Sequence, residues 1–366
     1  MRLKKREMRL PVCDVSSRQK GIVLFIRVLS FLTGVVLLSS ALAFNVHAEA
    51  ARRLGMNTTF RTFREEIKNI EELSVGTIRV PLQWQLVRIL PGEYDWSTVD
   101  LLLRVAQAKQ LDVLFSIRTT FREIVPKTIT RRTPLRRRPS VNKEEWVDFV
   151  RTLANRYRGQ GVNYEIENEV NEGGIWKGTQ DEYLELLKAG YEVIKKADSN
   201  ARVLPSAMSC GILRNVPSGF LNEKAWKWHD DWLKQILSTK KFDVVNVHDY
   251  YFPSDITANG LTFRSYLQHI QDRMKESGLG DRPIWITEAG FVSLPADVSG
   301  RTDNGSYEKQ AAWLTEAYQQ AFEFGAEKIY WLLLRDRKET YFGSMGLADA
   351  KGDPRPSWNA FHQFAK

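Results

Sequence analysis

Eight short, β-branched runs alternate with amphipathic helical stretches between residues 54 and 334, and this rhythm predicts an α/β protein: a single (β/α)8 TIM barrel. Two further observations narrow the class. About 318 residues remain once a removable N-terminal segment is set aside, a length that suits one barrel with insertions. No glycine-rich phosphate turn follows an early strand, so the usual mark of the rival doubly wound sheet is missing.

The strand-like runs fall at 54–60, 76–80, 111–117, 163–167, 202–206, 242–248, 283–287 and 328–334. Helical stretches at 63–73, 99–109, 143–157, 180–196, 263–277 and 307–324 carry apolar residues three and four positions apart. In 143–157 these are Trp146, Phe149, Val150 and Leu153, one face of a helix. No linker rich in Ser or Gly divides the chain, and no internal repeat is visible, so 49–366 reads as one domain.

The first 48 residues read as a targeting segment. A basic stretch (Arg2, Lys4, Lys5, Arg6, Arg9, Arg18 and Lys20) precedes an apolar run from Leu29 to Phe44, and Val46-His47-Ala48 suits signal peptidase. Cleavage after Ala48 and export to the periplasm or beyond are expected. The alternative is an uncleaved inner-membrane anchor at residues 21–44, which Arg27 interrupts. Residues 1–48 hold +6 of the chain's formal +9, so the mature protein is only about +3. The basic balance therefore gives no argument for a nucleic-acid partner, and no nucleic-acid-binding signature is present. Cys13 lies in the removable segment and leaves Cys210 alone, which excludes an intrachain disulfide framework; no Cys/His spacing suggests a metal, and no cofactor is expected.

Two carboxylates stand out. Glu169 follows the apolar run Tyr164-Glu165-Ile166, and Glu288 follows Pro283-Ile284-Trp285-Ile286-Thr287. A carboxylate at the end of a buried strand is costly unless it is paired or used. In a barrel the chemistry sits at the C-terminal strand ends. That rule gathers Arg79, Asn168, Glu169, His248, Tyr250, Glu288 and Trp331 on one rim. A pair of glutamates facing one cleft is the arrangement that cuts glycosidic bonds.

With these residues in place, the chain resembles the clan A glycoside hydrolases, family 39 first and family 5 second, over nearly all of 52–366. The Asn-Glu motif after the fourth strand matches Asn168-Glu169, and the seventh-strand motif matches Thr287-Glu288. The His-x-Tyr pattern of the sixth strand matches His248-Asp249-Tyr250, and Gly76-Thr77-Ile78-Arg79 matches the second. Two positions depart: Glu167 stands where the family has Trp, and Val170 where it has Pro. If strand alternation continues, Glu167 points away from Asn168, either outward or into the barrel interior.

The resemblance implies a retaining glycosidase. Glu169 would protonate the leaving oxygen and then serve as base toward water, while Glu288 attacks the anomeric carbon. Arg79 would hold Glu288 ionised, Tyr250 would orient it, and Asn168 would bond the sugar 2-hydroxyl. His248, Trp84, Trp176, Tyr251 and Trp331 are further candidates for substrate contact; Trp176, after Gly173-Gly174-Ile175, is expected to be a rim platform for a sugar face. The substrate would be a polysaccharide or oligosaccharide, such as a bacterial exopolysaccharide or cell-wall glycan. Residues 118–139 carry a net +7, from Arg118 through Arg138, and sit after the third strand; they would favour an anionic polymer. A transglycosidase and a catalytically retired carbohydrate-binding barrel are the alternatives.

Overall fold

The structure, a computed structural model, describes residues 51–90, 92–119, 143–172, 175–176, 178–210, 213, 223–251, 261–293, 307–337 and 342–365. The chain divides into two units, 1–49 and 50–366, and the described residues lie in the second. The expected leader at 1–48 and basic residues Arg122 to Arg138 lie outside the described residues. No helix among those described is long and apolar enough to cross a membrane.

The main sheet is parallel and has nine strands. In chain order these are β1 (Leu54–Asn57), β2 (Thr77–Gln83), β5 (Asp112–Arg118), β6 (Val162–Ile166), β7 (Val203–Pro205), β8 (Met208–Ser209), β9 (Val245–Tyr251), β10 (Ile284–Phe291) and β11 (Ala326–Trp331). The order across the sheet is β7-β6-β5-β2-β1-β11-β10-β9-β8. The two end strands, β7 and β8, are consecutive in the chain and separated only by Ser206-Ala207. Leu114, Leu204, Val244, Trp285 and Tyr330 pack as one apolar cluster, joining one half of the sheet to the other; the sheet is therefore curled. Gly55 on β1 makes room for this: a Cβ there would lie 2.2 Å from the Tyr330 ring.

All eight strand-like runs are strands, and the six named helical stretches are helices: α1 (Phe63–Glu72), α3 (Ser97–Ala108), α4 (Lys143–Arg156), α5 (Gln180–Ala197), α7 (Phe263–Glu276) and α8 (Tyr307–Glu323). Their buried stripes follow the predicted spacing; α4 buries Trp146, Phe149, Val150, Leu153 and Ala154. Thr179 begins α5 with a capping box closed by Glu182. Three helices fall outside the predicted set: α2 (Trp84–Val87), α6 (Glu223–Thr239) and α9 (Pro356–Gln363).

Between α2 and α3 a short hairpin of β3 (Arg88–Leu90) and β4 (Glu93–Tyr94) projects from the rim. The predicted strand at 328–334 leaves the main sheet after Trp331, with Leu332 N–H making its last bond to Ala289 O. The chain then pairs β12 (Leu333–Arg335) with β13 (Gly346–Ala348) in a separate two-stranded sheet. Likewise β9 and β10 run three and four residues past their predicted ends at 248 and 287, and these extensions carry much of the site.

Candidate active site

Arg79 is the centre of the polar cluster. It lies on β2, whose first four residues are buried, and is itself 1% exposed. A guanidinium with no water around it must find its partners within the protein. Its Nε donates to Glu165 Oε2 (2.6 Å), and Nη1 donates to Glu288 Oε1 (2.5 Å) and Asn57 Oδ1 (2.9 Å). Its Nη2 donates to Asn168 Oδ1 at 2.7 Å. Burial would strip its proton, but Glu165 and Glu288 outweigh that and raise its pKa beyond the usual value. Arg118, at the end of β5, donates from Nη2 to the same Asn168 Oδ1 (3.0 Å) and lies 4.0 Å from Glu288 Oε1.

Glu288 reaches this cluster because β10 is irregular. Its pairing with β9 shifts register between Ile286 and Glu288. Regular alternation would turn either Thr287 or Glu288 out of the interior. The shift lets both point inward. Thr287 Oγ1 meets His248 Nε2 at 3.0 Å and donates to Asn246 Oδ1 at 2.6 Å, while Glu288 meets Arg79 and accepts the Tyr250 hydroxyl. Burial pushes the Glu288 carboxyl up; His248, Arg79, Arg118 and the Tyr250 hydrogen bond overcome this and hold it at about 2. The nucleophile candidate is therefore ionised at any ordinary pH. The Tyr250 hydroxyl is pushed up, by burial first and by Glu288 next, and so stays a donor.

Glu169 lies opposite, on the turn after β6. Glu167 and Glu169 both sit in the left-handed backbone region, at φ 68° and 46°. Non-glycine residues rarely adopt it, and here it ends the strand and redirects the chain. Alternation therefore stops at Ile166, and Glu167 turns inward: it is 1% exposed and accepts the Thr119 N–H at 2.6 Å. Burial raises its pKa to about 7.

Glu169 Oε1 meets His248 Nδ1 at 2.9 Å. The imidazole is held from its other side. Asn246 Nδ2 donates to Glu165 Oε1 (2.7 Å), so its Oδ1 accepts from Thr287, whose oxygen in turn accepts from His248 Nε2. This fixes the ring with Nδ1 turned to the Glu169 carboxyl. The His248 Nδ1 also lies 3.5 Å from Glu288 Oε2, and one atom from each of Glu169, His248 and Glu288 fall within 4.8 Å of one another. Such a trio is close enough for a metal ion, but Glu288 already has the Arg79 guanidinium as its cation.

A cavity of about 380 Å³ opens beside Glu288 and is lined by Asn57, Thr58, Arg79, Arg118 and Arg337 among others. Two cavities of similar size have linings that include neither Glu169 nor Glu288.

The predicted aromatics divide differently. Trp176 is 7% exposed, donates its indole N–H to Thr179 O and sets its edge against Tyr183; no open ring face is left to act as the expected platform. Trp84 packs on Phe149, and Trp331 is fully buried with its indole N–H on Met345 O; its main-chain carbonyl accepts from Asn57. The Tyr251 side chain lies outside the description. Asn57, Glu165, Asn246 and Thr287, absent from the predicted site set, are integral to the cluster. Asn246 was findable, since 246, 248 and 250 share one face of a strand.

Residues 191–361 match the family model for the glycosyl hydrolase catalytic core. A family 39 glycoside hydrolase from Bacteroides cellulosilyticus WH2 is similar over 87% of this chain, at 17% identity and a TM-score of 0.59. A β-xylosidase of family 39 from Caulobacter crescentus is similar at 20% identity and TM-score 0.62, covering 86% of this chain and 71% of that one. GH5_18 from Streptomyces cattleya, solved with GlcNAc, gives 16% identity and TM-score 0.61 over 86% and 79% of the two chains. At 20% identity or below, these likenesses show a shared fold. The chain spans 64% of the length of the Bacteroides glycoside hydrolase. No curated protein matches the sequence. The glycoside hydrolase resemblance drawn from Asn168-Glu169 and Thr287-Glu288 is thus matched both by the family model and by structural neighbours in families 39 and 5.

Proposed function

We propose that this chain is an exported, retaining glycoside hydrolase that cleaves a polysaccharide, with Glu169 as acid/base and Glu288 as nucleophile. One observation carries the reading: carboxylate oxygens of Glu169 and Glu288 lie within 4.8 Å of each other, across a shared imidazole nitrogen. Retaining enzymes hold their carboxyl groups about 5–5.5 Å apart, whereas inversion needs about 6.5–9.5 Å to admit a water.

The sequence of events follows from the contacts. Glu169 gives its proton to the leaving oxygen as Glu288 attacks the anomeric carbon and forms a glycosyl ester. Glu169, now a base, takes a proton from water, which displaces Glu288. When Glu288 loses its charge in the ester, Arg79 keeps Glu165 as its counter-ion, so no buried cation is left unpaired. Asn168, oriented by Arg79 and Arg118 through its Oδ1, presents its amide N–H groups to a substrate hydroxyl. In this reading β7 and β8 count as one interrupted strand, and the curled sheet closes as a (β/α)8 barrel. Arg118 and Arg337 in the cavity beside Glu288 favour an anionic glycan. The basic, then apolar, N-terminal segment supports export with removal of residues 1–48.

The test is product stereochemistry. Proton NMR of the first-formed sugar should report the anomeric configuration of the substrate, and Glu288→Gln should abolish turnover with the fold intact. An inverted first product, or wild-type turnover in Glu288→Gln, rejects the mechanism. N-terminal sequencing of the exported chain tests the cleavage.

A further inference from the structure

We infer that the chain holds a second site, separate from the glutamate pair: a divalent transition-metal site formed by His229 and Asp230 on α6 and His269 on α7. One ligand atom from each of the three residues lies within 4.8 Å of the other two. The Asp230 Oδ1 is 2.6 Å from His269 Nε2 and 4.0 Å from His229 Nδ1.

The His229 Nδ1 is the observation that calls for a cation. The residue is fully buried, and this nitrogen has no hydrogen-bond partner. Tyr266 Oη lies 2.9 Å from His229 Nε2 and 3.4 Å from Met208 O, and its one proton serves one of them. With that proton on Met208 O, the phenol oxygen accepts from Nε2 and His229 turns a bare lone pair at Nδ1 toward a carboxylate oxygen. Two acceptors across 4.0 Å of protein interior repel unless a positive centre lies between them. A second proton on the ring is a poor substitute, because 4.0 Å is beyond hydrogen-bond reach.

The geometry suits a metal of zinc size. Tetrahedral zinc with bonds of about 2.0–2.1 Å spaces its ligand atoms about 3.3 Å apart. The observed 2.6 and 4.0 Å straddle that value, so entry of the ion widens one gap and narrows the other by under about 1 Å. The outer oxygen of Asp230 faces Arg273 Nε at 3.6 Å, an orienting partner of the kind ligating carboxylates have. Trp226 packs against both imidazoles, its ring centre 6.1 Å from His229 and 4.8 Å from His269. Asp230 and His269 are 19% and 20% exposed, which leaves a path in and room for a water as fourth ligand. Two imidazoles with one carboxylate select Zn²⁺ or Co²⁺ over the oxygen-seeking Mg²⁺ and Ca²⁺. The ion would clamp α6 to α7, the two helices that flank β9 in the chain and so brace the strand carrying His248 and Tyr250.

The experiment uses the full chain, stripped of metal and titrated with Zn²⁺ by calorimetry and with Co²⁺ by visible absorption. One equivalent should bind at micromolar concentration or tighter, raise the melting temperature and give the bands of tetrahedral cobalt. His269→Gln and Asp230→Asn, each checked for fold by circular dichroism, should weaken binding at least tenfold. Glu169→Gln, in the other cluster of close ligand atoms, should leave it unchanged. The inference is overturned if neither metal binds at millimolar concentration. It is equally overturned if binding survives both His269→Gln and Asp230→Asn, or is lost in Glu169→Gln.

Discussion

Replacing Arg79 with Met tests the electrostatic centre of the site. The side chain is 1% exposed and is the hydrogen-bonding cation for two buried carboxylates, Glu165 at 0% and Glu288 at 8% exposure. The substitution keeps most of the volume and removes the charge. Glu288 titrates at about 2 in the folded chain against an ordinary 4.5. Each tenfold change in proton affinity is worth about 1.4 kcal/mol, so the depression of Glu288 stabilises the fold by about 3 kcal/mol at neutral pH. Because the folded value is the lower one, this contribution is complete above 4.5 and is lost as pH falls toward about 2. Without Arg79, one of the groups that hold the carboxyl down beside His248, Arg118 and Tyr250 is gone, and its pKa rises from about 2. Removing one partner of a buried pair typically costs about 3–5 kcal/mol, which fits that figure. Urea unfolding at pH 7 should report a loss of this size. The acidic limb of the pH–rate profile should also move to higher pH as the nucleophile begins to protonate. A loss under about 1 kcal/mol together with an unmoved acidic limb would refute the reasoning.

Three further outcomes follow from the same contacts. Tyr250→Phe removes the hydroxyl that Glu288 accepts; turnover should fall about tenfold and the acidic limb should rise, with the substrate KM little changed, as steady-state kinetics across pH will show. Glu167→Gln should stabilise the chain at pH 8 by up to about 3 kcal/mol and not at pH 4, because a carboxyl held at about 7 in the folded state loses stability as pH rises from 4.5; paired urea titrations read it directly. Gly290→Ala puts a Cβ 2.6 Å from Met345 Sδ and 3.2 Å from the Tyr250 ring, so it should displace Tyr250 and lower kcat more than it lowers the melting temperature.

The parallel strands were legible because most of their positions are buried, as in β10 along its whole length, and because the helices between them carry an apolar stripe. The hairpin at 88–94 was not, since its two short strands expose Ile89 and Leu90 and follow no period. Helix α6 escaped the pattern although its buried positions, from Ala225 to Leu237, have helical spacing; it also bears His229 and Asp230. Trp176 misled because a glycine-flanked aromatic on a loop looks exposed, and only the packing of α5 beneath it supplies Tyr183 and the Thr179 carbonyl.

The sequence by itself determined where the strands lie along the chain, the two glutamates and the residues on their strand ends, for these depend on local periodicity and on positions along single strands. Only the tertiary structure decided who holds them. Arg79 meets Glu165 from 86 positions away and Glu288 from 209, and Asn57 reaches the Thr287 carbonyl across 230. Such partners are chosen by the curl of the sheet. The left-handed turns at Glu167 and Glu169 and the register shift at Thr287 then aim side chains that regular alternation would have sent elsewhere. A buried charge must be satisfied by whatever the fold brings within about 3 Å, and the chain's local pattern carries no record of which residue that is.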